Sequence, residues 1–235
     1  MIEDVAKKVE SLLKENNSGH GMEHVYRVLN LSLKFSDVEN ADKDIVSLVA
    51  LLHDVDDYKL FGVESADNLT NAKKILNSCL IKDDIKEQVL NDIKTIGYSK
   101  RLNGIKPTTI EGMIVSDADM CDGIGATGIL RSFQYNLAHN NKFFDKDIYP
   151  ELDMSVEEYM SKKYGTVVTH MFEKLLKLKY LMLTESGKKE AIERHKIMID
   201  FLYHFFEEEN ATEWILYLDK YLEKDNKLVK KQSFN

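Results

Sequence analysis

The sequence predicts an all-α protein of about ten helices, gathered into one domain over residues 1–226 with a polar, frayed tail at 227–235. Three observations predict this class. Apolar residues recur at three- and four-residue spacing along most of the chain, as in helices that bury one face. Proline occurs only twice in 235 residues, at Pro107 and Pro150, so long stretches are free to stay helical. Lys, Glu, Leu and Asp dominate over Val and Thr, a balance that favours helix over strand. The length is enough for one sizeable core.

The elements follow in order. Ile2, Val5, Val9, Leu12 and Leu13 predict a helix over 2–16, which the polar, glycine-containing run from Asn16 to Gly21 ends. Val25, Val28, Leu29, Leu31, Leu33 and Phe35 mark a second helix. Asp42 suits the N-cap of a third, which runs through Ile45–Leu52 and ends near His53 and Asp54. That apolar run also fits a buried strand; its polar flanks and the lack of a nearby partner strand favour helix. Helical patterns follow near 65–79, near 83–97 with Asp83 as N-cap, and near 107–121 with Pro107 in the first turn. Gly123, Gly125 and Gly128 loosen the next stretch, which resumes as helix to about Leu137. Residues 139–154 read as a loop. Two long helices, 155–184 and 186–210, and a short one at 212–224 complete the chain.

Composition excludes several functions. A net charge of −8 argues against a coat protein for DNA or RNA and against an anionic-membrane binder, since both need a basic surface. Cys79 and Cys121 form no C-x-x-C pair, which fits reduced thiols in the cytoplasm. The first residues lack the basic and apolar regions of a signal peptide, and no apolar run approaches the roughly 18 residues of a membrane span. A cytoplasmic protein is expected, and a homodimer is compatible with the composition.

Three short segments concentrate metal-binding chemistry: Gly19–His24, Leu51–Asp54 and Asp117–Asp119. Each lies near a helix end and supplies an imidazole or a carboxylate. A mixed nitrogen and oxygen set suits Mn, Co, Ni, Fe or Zn better than Ca, with Mg also admitted. Spacing alone leaves the His53-Asp54 pair open between a helix-end cap and two ligands. Adjacent residues diverge by about 100° on a helix, so both reach one ion only if it lies beside the helix.

These segments resemble the HD-domain superfamily of metal-dependent phosphohydrolases, and most closely a bacterial single-domain subgroup linked to nucleotide pyrophosphohydrolysis. Gly19-His20-Gly21, then His24 and Arg27-Val28, resembles that subgroup's opening signature. Leu51-Leu52-His53-Asp54 followed by Asp57-Tyr58-Lys59 resembles its core motif. Asp117-Ala118-Asp119 with Gly123-Ile124-Gly125-Ala126 and Arg131 resembles the third, and the block from His170 to His195 resembles its C-terminal helices. The resemblance implies an HD-type helical bundle whose His24, His53, Asp54 and Asp119 bind one divalent metal ion. Binuclear members place extra His between the His-Asp pair and the last Asp, whereas residues 54–118 hold none.

Asp57 matches an acidic residue beside the metal. If the helix continued past Asp54, Asp57 would lie on the same face, placed to move a proton as the catalytic acid or base. Asp56 reads as a solvated carboxylate. Lys59, Lys100 and Arg131 are the expected phosphate cations, and the resemblance adds His20, His170 and His195 as substrate contacts. Lys174, Lys177 and Lys188 read as a solvated face, and Tyr203, Phe205, Phe206, Trp214 and Tyr217 as core. The chain departs from the pattern at Gly21, where the family has Asp, and at Met120, where it commonly has Arg. The expected activity is metal-dependent hydrolysis of a phosphorylated small molecule, most simply a nucleotide, either to pyrophosphate or at a phosphomonoester. The alternatives are a nucleotide-binding sensor with little turnover and, more remotely, a di-iron oxygenase.

Overall fold

The computed structural model describes residues 1–14, 21–155, 157–158 and 165–232, with side chains as far as 225. Among the described residues the fold is all-α, with twelve α-helices, one 3₁₀ segment and no strand. The helices are α1 (Ile2–Leu13), α2 (Met22–Glu39), α3 (Lys43–Leu52), α4 (Tyr58–Asn68), α5 (Thr70–Asn77), α6 (Asp83–Thr95), α7 (Tyr98–Leu102), α8 (Ile110–Asp122) and α9 (Gly125–Ala138). Then come α10 (Val167–Glu173), the 3₁₀ segment Leu175–Leu181, α11 (Glu185–Glu208) and α12 (Thr212–Gln232).

The centre is α3. Val46, Leu48, Val49, Ala50, Leu51 and Leu52 are all essentially buried, so this helix is apolar on every side and must be wrapped by others. Helices α2 and α8 pack against it and against each other, α1 and α6 cover its remaining sides, and α11 lies across α2, α8 and α9. Asp42 starts α3 by accepting from the backbone N–H of Asp44 at 2.9 Å and Ile45 at 3.2 Å, the N-cap that its sequence predicts.

Five boundaries differ from the sequence expectation. The 65–79 pattern is two helices, because Leu69 turns left-handed at φ 52° between α4 and α5. Asp56 makes that turn tenable. It is buried rather than solvated, and it accepts from the Ser65 hydroxyl at 2.5 Å and from the N–H groups of Asn71 and Ala72, both at 2.9 Å. Asp83 is the first helical residue of α6 rather than its cap, and α8 starts at Thr109, whose hydroxyl accepts from Gly112 at 3.0 Å, leaving Pro107 outside.

The expected long helix at 155–184 is broken within its described part. Lys174, at φ −129° and ψ −61°, separates α10 from the 3₁₀ segment. The last helix runs to Gln232, past the expected end of the domain at 226.

Candidate metal centre

Three helix ends converge on one point. His24 lies in the first turn of α2, His53 caps the C-terminus of α3, and Asp119 lies in the last turn of α8. Ligand atoms of these three residues all lie within 4.8 Å of one another. Asp54 joins them, with Oδ2 3.3 Å from Nε2 of His24 and 3.7 Å from Nε2 of His53. Oδ1 of Asp119 is 3.5 Å and 3.9 Å from the same two nitrogens. An ion with bonds of about 2.1 Å sets neighbouring ligand atoms about 3.0 Å apart in an octahedron or about 3.4 Å in a tetrahedron, and opposite ones about 4.2 Å apart. The spacings of the two Nε2 atoms from each other and from the two carboxylates, 3.1–3.9 Å, fall within that span.

The imidazole tautomers sharpen this. Nδ1 of His53 lies 2.7 Å from the Ala50 carbonyl, which only accepts, so Nδ1 carries the hydrogen. Nδ1 of His24 lies 2.7 Å from Oδ2 of Asp122 and donates likewise. In their neutral forms both rings therefore turn the Nε2 lone pair inward, and the two Nε2 atoms are 3.1 Å apart. Two lone pairs at that distance repel unless a cation stands beside them. Burial pulls the His24 imidazole down, but its hydrogen bonds to Asp122 and Asp54 outweigh burial and push it up to about 9. A proton and a metal ion thus compete for the same place.

Asp122 is the residue that sequence reasoning missed. It is buried, yet it accepts from Nε of Arg27 at 2.7 Å and from a second Arg27 nitrogen at 3.0 Å, and from Nη1 of Arg131 at 2.6 Å. Burial alone would raise its carboxyl; the hydrogen bonds from His24 and Arg27 and the Arg131 charge hold it well below the usual carboxylate range. It fixes the tautomer and orientation of His24 through a paired charge, the usual outer support of a metal-bound imidazole. The only sequence signal was its position three residues after Asp119. Its neighbour Asp117 serves the fold: it accepts from the N–H groups of Leu183 and Thr184 and from the Thr184 hydroxyl, tying α8 to the start of α11.

The other expected site residues separate into groups. Helix α3 ends at Leu52, so Asp57 is not one turn along a continuing helix; it caps α4 instead, accepting from Lys59 N–H at 2.9 Å through Oδ1. Its Oδ2 has no hydrogen-bond partner among the described residues. The Lys59 ammonium lies 5.6 Å from the ring centre of Tyr135 and 5.9 Å from that of Tyr58. His170 is held neutral, its imidazole lowered to about 3 by burial and by the charges of Lys174 and Lys59. Lys174 leaves the expected solvated face: its Nζ sits 4.5 Å over the Tyr98 ring, and burial, with Lys59 nearby, lowers it to about 8. Lys188 does lie on the surface, paired with Glu185.

Two expected substrate contacts stand apart. Lys100 is exposed on α7 and has no side-chain contact with this group among the described residues. His195 is enclosed in a separate network, with Nε2 3.0 Å from the Lys179 ammonium, which itself pairs with Asp225 at 2.6 Å. That network joins the 3₁₀ segment, α11 and α12. His20 lies outside the described residues. Of the two departures, Gly21 leaves the N-cap of α2 without a side-chain acceptor, and Met120 is buried in the core.

Comparison with known proteins defines the class. The HD domain model matches residues 21–124, the span that carries all four expected ligands. A Bacillus subtilis protein, YpgQ, is 30% identical over 201 residues, which cover 85% of this chain and 89% of the relative. The chain belongs to the HD-domain family. Among solved structures it resembles an HD-superfamily hydrolase from Bacillus thuringiensis, at 31% identity and a TM-score of 0.70, covering 89% of this chain and 97% of that one. It also resembles B. subtilis YpgQ in complex with ADP, at 26% identity and a TM-score of 0.65, covering 88% and 97%. No helix among the described residues is long and apolar enough to cross a membrane.

Proposed function

We propose that this protein is a metal-dependent phosphohydrolase that acts on a nucleotide, with one divalent ion held by His24, His53, Asp54 and Asp119. The observation that carries the reading is the pair of tautomer-fixed imidazoles whose Nε2 atoms meet at 3.1 Å beside two carboxylates. The ADP bound to YpgQ supports a nucleotide as the class of substrate. When bound, the ion would draw charge from a phosphate oxygen and acidify water.

The chain's own residues do the rest. Asp122 and Ala50 keep the two imidazoles turned inward. Arg131, anchored on Asp122, and Lys59, exposed beside Tyr58 and Tyr135, would supply positive charge to phosphate oxygens. His170 offers ring nitrogens that have no hydrogen-bond partner among the described residues. Asp57, with one oxygen fixed by Lys59 N–H and the other open, would take a proton from the attacking water or return one to the leaving group.

A panel of nucleoside mono-, di- and triphosphates, assayed with Mn- or Co-loaded protein, tests the reading. Metal-dependent release of phosphate or pyrophosphate that Asp54→Ala abolishes is the expected result. Tight nucleotide binding with no product would instead mark a sensor.

A further inference from the structure

Two half-exposed tyrosines gather around one lysine, and neither serves the core. Tyr58 and Lys59 open α4, a helix that buries no residue, and Tyr135 lies in the last turn of α9. Tyr58 is 47% exposed and Tyr135 43%. The Lys59 ammonium stands 5.9 Å from the ring centre of Tyr58 and 5.6 Å from that of Tyr135, so it brings the two helices together. His139, one turn after Tyr135, stacks on the Tyr135 ring with centres 4.2 Å apart. Its Nδ1 donates to the Tyr135 carbonyl at 2.7 Å, which holds the imidazole as the backing of that ring. No other ring stacks on Tyr135, and no hydrogen bond engages either tyrosine hydroxyl, among the described residues.

Hydrogen bonds tie this patch to the metal ligands from two sides. On one side, the Asp57 N–H donates to the Asp54 carbonyl at 3.2 Å, and Asp57 Oδ1 accepts from the Lys59 N–H at 2.9 Å, so a tight turn leads from Asp54 to Lys59. On the other, Arg131 donates to Asp122 Oδ2 at 2.6 Å, and the same oxygen accepts from Nδ1 of His24 at 2.7 Å. Tyr135 follows Arg131 by four residues, so the two share one face of α9.

The chemistry of the patch selects its ligand. A half-exposed ring gains by stacking against a second flat, apolar surface. Single rings on a surface are ordinary. Here two rings, an imidazole backing and a cation stand together, and the cation is one expected to meet phosphate. An ammonium over an exposed ring is held weakly, so Lys59 can leave Tyr135 for a phosphate oxygen and uncover the ring. The molecule that uses both groups carries a flat aromatic ring and a phosphate, as a nucleotide does.

We propose that Tyr135, backed by His139 and flanked by Tyr58, stacks the nucleobase of the substrate while Lys59 turns to its phosphate. The inference rests on the phosphohydrolase reading for its location, and it makes Tyr135 the residue that distinguishes a nucleotide from a base-free phosphate compound.

Calorimetry on the full-length Mn-loaded protein compares α,β-methylene-ADP, whose bridge resists hydrolysis, with methylenediphosphonate, which has the same bridge and no base. Wild type should bind the nucleotide analogue more tightly. Tyr135→Leu should weaken its binding by about 5- to 100-fold, the worth of stacking one base, and leave methylenediphosphonate within about twofold. Tyr135→Phe, which keeps the ring, should bind as wild type does. Tyr135→Ser gives the same reading should the leucine variant fail to fold. Equal affinity of wild type for both probes, or no binding of either, overturns the proposal. So does a ringless variant that keeps its affinity for the analogue or loses both probes alike. Failure of the two readings is separable. A protein that turns over no nucleotide but shows the Tyr135-dependent preference loses the phosphohydrolase reading alone. One that turns over nucleotides with no such preference loses this inference alone.

Discussion

Around α3 the buried side chains are aliphatic, and the polar groups among them are few, charged and paired at fixed positions. Around α12 they are aromatic: Phe144, Phe206, Tyr149 and Tyr217 all pack on Trp214, with Tyr149 stacked on it at 4.6 Å, and Phe172 bridges Trp214 and Tyr221. The first region gathers two histidines and three aspartates through caps and charge pairs. The second supplies bulk and holds α10 in place through Phe172. The difference teaches that the expected ligands take their order from paired polar groups, whereas α12 takes its order from packed aromatic rings.

That contrast can be broken or sharpened, beginning with the largest effect. Trp214 is 1% exposed and donates to the Lys146 carbonyl at 3.1 Å. Trp214→Ala should cost about 3–5 kcal/mol of stability in denaturant unfolding, while the folded fraction keeps its metal content. Loss of metal from that folded fraction would show that the two regions are one unit. Asp122→Asn removes the charge that orients His24, and should lower metal affinity about 10- to 100-fold in a chelator competition. Circular dichroism should show its helices retained. An unchanged affinity would put the order of the centre elsewhere. Asp42→Ala removes the cap of α3 and should cost about 1 kcal/mol, seen as a fall in melting temperature of about 2–4 °C. A larger drop would mean that the cap holds more than one helix end.

Much of this contrast follows from what a sequence can carry. Helix α3 was legible because its cap and apolar run are contiguous, whereas the four expected ligands were legible only through the resemblance of their short motifs to the HD-domain family, since spacing alone left them open. Asp122 was not. It meets Arg27 across 95 residues, and no local pattern distinguishes a buried, triply paired aspartate from a solvated one. The same blindness hid the buried role of Asp56 and placed Lys174 among surface lysines. A charged residue's burial depends on helices that are distant in sequence, and a single lysine looks the same in either setting. The break at Lys174 was illegible too, since no glycine or proline marks it. The cap at Asp57 escaped because Asp57 was weighed only on a helix continuing past Asp54, whereas the chain turns through His53–Asp56.

The central claim is that His24, His53, Asp54 and Asp119 hold a single metal ion. Elemental analysis of wild-type protein and of Asp54→Ala, each incubated with Mn, Co or Zn and freed of excess ion, tests it most directly. The account predicts one ion per chain in wild type and background levels in the variant, with both proteins equally helical. No bound ion in wild type, or the same content in Asp54→Ala, would contradict it.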